Sequence, residues 1–163
     1  MTAGDWRQCF VIMMALVSAL GLAGDVIAQG GVTRTLTILA ARCPAGYAGD
    51  ASADECDDTP MAAVNFRVGR PYTDFVITAR TDDDGLVVFD ITDLPYHGTI
   101  RVVEDLPPGI AGAVAFCVDD AGTPLALTEE PSPDNDPPIT AALITVGETR
   151  NVHCDWYNVS AVP

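Results

Sequence analysis

Apolar and polar residues alternate along most of this chain with a period of two. Leu36, Ile38 and Ala40 share one face of the β-branched stretch 32–42. Val64, Phe66 and Val68 alternate with Asn65 and Arg67, and Ile100 and Val102 lie on one side of 99–105. Each pattern predicts a half-buried strand. Residues 75–80 and 85–91 flank Thr81-Asp82-Asp83-Asp84-Gly85, a polar stretch ending in glycine that predicts a hairpin. Leu106-Pro107-Pro108-Gly109 ends the next strand, because proline cannot donate to a ladder. Another strand is expected over 113–118. The acidic segment 119–137 contains Pro131, Pro133 and Pro137 and predicts a loop with a short strand near Leu125. Residues 139–146 and 149–159 supply the last two strands, joined by a turn at Gly147-Glu148. No segment sustains a helical period. About seven to nine short strands broken by turns predict an all-β, antiparallel β-sandwich.

The first 28 residues do not fit that pattern. Arg7 precedes an apolar run from Cys9 to Ala23, and Val26-Ile27-Ala28 places modest side chains where a signal peptidase reads. Asp25 ends the run short of the ~20 residues that a membrane-spanning helix needs. The expected organisation is a signal peptide over 1–28 and one sandwich domain over 29–163. The protein is then secreted or displayed at a surface, and it meets a membrane only through the leader if that is retained.

Export changes the meaning of the cysteines. The chain has five, and Cys9 leaves with the leader. Cys43, Cys56, Cys117 and Cys154 remain, an even number that implies a disulfide framework. Three pairings are possible. The spacing favours Cys43 with Cys56, closing a short polar loop, and Cys117 with Cys154, joining two late strands. Zinc is disfavoured, since no C-x₂-C pair occurs and exported thiols oxidise. No cofactor is expected.

Charge narrows the partners. The chain carries 23 acidic residues against 8 basic ones, all arginine, for a net charge of −15. That balance argues against nucleic acid, whose phosphates need Lys and Arg, and against anionic lipid headgroups. It favours a solvated acidic surface and solubility and, at most, cationic partners. Catalysis has little to draw on. His97 and His153 are the only bases near neutrality, His97 beside a turn and His153 on the strand face opposite Cys154. No serine sits in a G-x-S-x-G context. Asp82-Asp83-Asp84-Gly85 and the cluster at Asp54-Glu55 and Asp57-Asp58 lack the alternation of a calcium loop and read as solvated turns. Trp156 shares the face of Val152 and Cys154 and is expected in the core, leaving Tyr157 on the other face, open to solvent or a partner.

Four segments, in order, resemble the prealbumin-like, collagen-adhesin B-type domains of bacterial surface proteins, also called SpaA-like domains. Residues 61–66 (Met-Ala-Ala-Val-Asn-Phe) look like that family's strand of a small residue, an apolar residue and Phe. Thr81 to Phe89 is similar to its Thr-x-x-x-Gly-x-x-x-Phe segment. Residues 100–109 resemble its strand ending in Glu, Pro and Gly. Cys154-Asp155-Trp156-Tyr157-Asn158 resembles its closing strand, which ends in aromatic-Asn. The resemblance implies a prealbumin-like sandwich with Ig-like Greek-key connections. It also implies an internal Lys–Asn isopeptide bond promoted by a glutamate, with Glu104 and Asn158 at the acid and amide positions. This chain has no lysine, so the amine nucleophile is missing and that bond cannot form. Glu104 and Asn158 are then expected to make turn and edge hydrogen bonds. The function implied is a non-catalytic module of surface adhesion or extracellular scaffolding, with an extracellular protein or glycan as partner. The alternatives are a transthyretin-like carbohydrate- or small-ligand-binding module and a secreted protease inhibitor using the 119–137 loop.

Overall fold

The computed structural model describes residues 33–47, 56, 59–72, 75–94, 98–130, 139–149 and 151–162. The leader over 1–28, the acidic residues 54, 55, 57 and 58, His97 and the prolines of 131–137 lie outside them. Chain contacts divide the protein into Met1–Gly31 and Val32–Pro163, and all the described residues belong to the second unit.

These residues form nine strands: β1 (Thr35–Cys43), β2 (Asn65–Gly69), β3 (Phe75–Arg80), β4 (Leu86–Asp90), β5 (Thr99–Asp105), β6 (Ile110–Val118), β7 (Leu127–Glu130), β8 (Ile139–Thr145) and β9 (Asn151–Ser160). They make a four-stranded sheet in the order β4-β1-β9-β6 and a five-stranded sheet in the order β3-β2-β5-β8-β7. The architecture is an all-β sandwich. Its core is the set of alternating positions that the sequence marks: Leu36, Ile38 and Ala40 from β1, Phe66 and Val68 from β2, Ile100 and Val102 from β5, Val152, Cys154 and Trp156 from β9. Each fully buried Leu, Ile, Val or Phe contributes roughly 1.5–3 kcal/mol, so the two inner faces supply most of the fold's stability.

Two features depart from the sequence reading. Residues 81–85 do not make a hairpin, because β3 pairs with β2 in one sheet while β4 pairs with β1 in the other. The segment is an arch that carries the chain across the core. Asp82 shapes it, its Oδ1 accepting from the backbone N–H groups of Asp84 at 3.0 Å and Leu86 at 2.9 Å. The Thr81 hydroxyl anchors the near side, donating to the Met61 carbonyl at 2.6 Å and accepting from Val64 N–H at 3.0 Å. The turn at Gly147-Glu148 forms where expected and likewise crosses between sheets, since β8 and β9 belong to different ones. Lastly, β1 and β9 run parallel over Thr35–Cys43, so the sandwich is not wholly antiparallel.

Gly85 closes the arch against β1. Its φ is +76°, its N–H donates to the Asp82 carbonyl, and its carbonyl accepts from Ala40 N–H at 2.8 Å. A Cβ at this position would come within 2.5 Å of the Ala40 carbonyl oxygen and 3.1 Å of Met61 N. Gly85→Ala combines a left-handed backbone with a clash against fixed backbone atoms. It is expected to cost about 2 kcal/mol in urea unfolding.

Candidate functional site

Glu104 is the sixth residue of β5. Strand alternation sets it on the same side as Ile100 and Val102, so it points between the sheets. The same rule turns Trp156 and Asn158 inward with Val152 and Cys154 on β9. All three side chains are 0% exposed. They do not make the turn and edge hydrogen bonds expected of Glu104 and Asn158, because both lie on the core face of central strands.

The three form one cluster that spans the sandwich. Trp156 Nε1 donates to Glu104 Oε2 at 2.6 Å, joining the four-stranded sheet to the five-stranded one. Phe66, the cross-strand neighbour of Glu104 on β2, packs edge-on against the indole with ring centroids 5.4 Å apart. Thr140 is its neighbour on β8. Burial pushes the Glu104 carboxyl up to about 7. The nearby Asn158 amide and the Trp156 N–H pull it the other way, and Asp105 adds a small upward push. Asn158 makes no well-formed hydrogen bond to the acid, however. Glu104 Oε1 and both amide atoms of Asn158 are buried without a partner among the described residues. Unpartnered groups of this kind are rare in folded proteins and each is costly.

The cluster lies behind a cleft. Ala113 and Ala115 of β6 form one wall, Leu127 to Glu129 of β7 and Thr140 to Ala142 of β8 form the other, and Trp156 is the floor. The space is about 430 Å³. It is open because β6 and β7 are edge strands of their sheets and β6 contributes only the small side chains of Ala113 and Ala115 to its wall.

The cysteines are joined as Cys43–Cys56 and Cys117–Cys154. Cys117 and Cys154 are direct cross-strand neighbours on β6 and β9, and their disulfide is part of the main core. Cys43 and Cys56 belong to a smaller cluster outside the four-stranded sheet, with Ala41, Tyr157, Tyr47 and Phe116. That cluster corrects the expectation for Tyr157, which is 5% exposed and covered rather than available to a partner. His153 is exposed on the outer face of β9, opposite Cys154.

Trp156 as the donor to Glu104, and the cleft in front of it, are absent from the sequence reading. The parity of β5 and β9 carried the signal for the first. For the second there was only the run of Gly112, Ala113 and Ala115, whose meaning depends on where β7 and β8 sit.

No protein-family model matches this sequence, and no curated protein matches it. Among solved structures, 79% of the chain is similar to 42% of a bacterial adhesin from Mobiluncus mulieris containing intramolecular disulfide, isopeptide and ester bond cross-links, at 15% identity and a TM-score of 0.48. A double mutant of the shaft pilin SpaA from Lactobacillus rhamnosus GG is similar over 80% of this chain and 52% of its own, at 13% identity and a TM-score of 0.46. The major plantain pollen allergen Pla l 1 is similar over 80% of this chain and 98% of its own, at 13% identity and a TM-score of 0.41. The chain thus spans about half, or less, of the adhesin and the pilin.

Proposed function

We propose that this protein is an exported, disulfide-stapled β-sandwich that works as a structural or adhesive module and not as an enzyme. The observation that carries the reading is the cross-sheet Trp156–Glu104 bond, sealed in the core and flanked by the Cys117–Cys154 disulfide of the same two-strand unit. A catalytic acid must reach its substrate. Glu104 reaches a tryptophan instead, inside the core. Its place is that of a tie between sheets. Two disulfides and the apolar leader support export to an oxidising compartment.

Cell fractionation of the organism that makes the protein, followed by intact-mass measurement, tests this. The expected species is extracellular or surface-held, begins near Gln29, resists thiol alkylation and weighs about 4 Da less than its reduced form. A cytosolic protein with free thiols would overturn the reading.

A further inference from the structure

We infer that the edge of β6 away from β9, unpaired over most of its length among the described residues, accepts an extended segment of a partner protein as an added strand, and that a basic side chain of that strand enters the cleft beside Trp156. This names how the proposed module would take a partner and rests on that reading.

The first ground is the edge itself. β6 pairs with β9 on one side. On the other, among the described residues, it has only an isolated bridge from Val118 to Pro124. Its exposed backbone donors and acceptors form a template for another strand. The remaining sheet edges carry charge: β7 has Glu129 and Glu130, β4 ends in Asp90 and β3 in Arg80. β6, reading Ile-Ala-Gly-Ala-Val-Ala-Phe-Cys-Val, has neither charge nor proline.

The second ground is the cleft. A strand laid beside β6 continues the four-stranded sheet and covers the gap between the two sheets. Its inward side chains then project between Ala113, Ala115, Leu127 and Thr140 into the space of about 430 Å³. The third ground is chemical. Trp156 and Glu129 line that space, and Glu104 Oε1 and the Asn158 amide are buried without a partner among the described residues behind the indole. Glu129 is the charged residue among those that line the cleft, and the chain's net charge is −15. An ammonium or guanidinium group on the added strand complements Glu129 and this acidic surface. Among the charged groups around Glu104, Asp105 adjoins it on β5 and Glu129 faces the cleft from β7. Phe66, Thr140, Trp156 and Asn158, which face it from β2, β8 and β9, are uncharged.

The test titrates the purified, oxidised full chain with the synthetic peptide Val-Thr-Val-Thr-Lys-Thr-Val-Thr-Val, followed by backbone and indole NMR. Expected are saturable shifts at residues 111–116 and at the Trp156 indole N–H, with slowed amide exchange along β6. Replacing the peptide's lysine by glutamate is expected to weaken binding by at least about tenfold. Ala115→Leu, which fills the cleft without touching Glu104, is expected to abolish the indole shift. Absence of saturable shifts, shifts away from β6, or equal binding by the glutamate peptide overturns the inference. Concentration-dependent protection of β6 without peptide also overturns it, because the edge then belongs to a second copy of this chain. Failure in any of these ways leaves the fractionation and mass result untouched.

Discussion

Glu104→Gln is expected to stabilise the protein at pH 8 by about 3 kcal/mol and to change it little near pH 4.5. The argument starts from burial. In the unfolded chain Glu104 titrates near 4.5, and in the folded chain near 7. Below 4.5 both states hold the proton and the site contributes no pH dependence. Between the two values the folded state keeps a proton that the unfolded state has lost, so stability falls as pH rises. Above 7 the charged carboxylate is fully present in the core and the decline stops. Glutamine keeps an oxygen for Trp156 Nε1 and adds a donor for Asn158 Oδ1, so it removes the charge without opening the cluster. Asp90 and Asp119 run the opposite way. Hydrogen bonds from Thr92 and from Thr123 respectively hold them below the ordinary carboxylate range. Their contribution is present above about 4 and is lost as pH falls. Those groups are common to both proteins and cancel in the comparison. Urea unfolding of each from pH 4.5 to 8 should give two curves that diverge upward in pH. Parallel curves would show that Glu104 does not titrate in this range.

Removing the core disulfide should cost more still. Cys117 and Cys154 close a loop of 37 residues, which on the chain-entropy model is worth about 4 kcal/mol. Cys43 and Cys56 close 13 residues, worth about 3 kcal/mol. The two also differ in packing. Cys117 and Cys154 are each 2% exposed and sit among the inward residues of β6 and β9. Truncating them leaves small voids in the main core. The Cys117→Ala/Cys154→Ala double variant is therefore expected to lose at least about 4 kcal/mol, and Cys43→Ala/Cys56→Ala about 3 kcal/mol. Amide exchange should also locate the damage. β6 is held by β9 alone along most of its length, so without the disulfide it should exchange before the rest of the sheet. A smaller loss for the core pair than for the peripheral pair would show that the denatured chain is already constrained between β6 and β9.

The strands and the core were legible in the sequence because both depend on a period of two. Phe66, Val102 and Trp156 are buried where alternation places them. The sheet assignments were not legible in the same way. A tight Asp-Gly turn looks alike whether the next strand returns to the same sheet or crosses to the other, and the choice for 81–85 rests on β1, more than 40 residues earlier. The parallel pairing of β1 with β9 is equally remote. Glu104 is the instructive miss. Its parity with Ile100 and Val102 already points inward, but the absence of lysine directed the expectation to turn and edge hydrogen bonds. The partner was Trp156, 52 residues away.

The parallel alignment of β1 and β9 has a mechanical meaning. The start of β1 and the end of β9 lie at opposite ends of their shared ladder, which runs from Thr35↔Asn151 to Cys43↔Val159. Tension entering before Thr35 and leaving after Ser160 pulls the two strands past each other along their length. Every rung from Thr35 to Cys43 then bears load together, where an antiparallel pair pulled from adjacent ends would open one rung at a time. Tension along that path meets the β1–β9 ladder in shear.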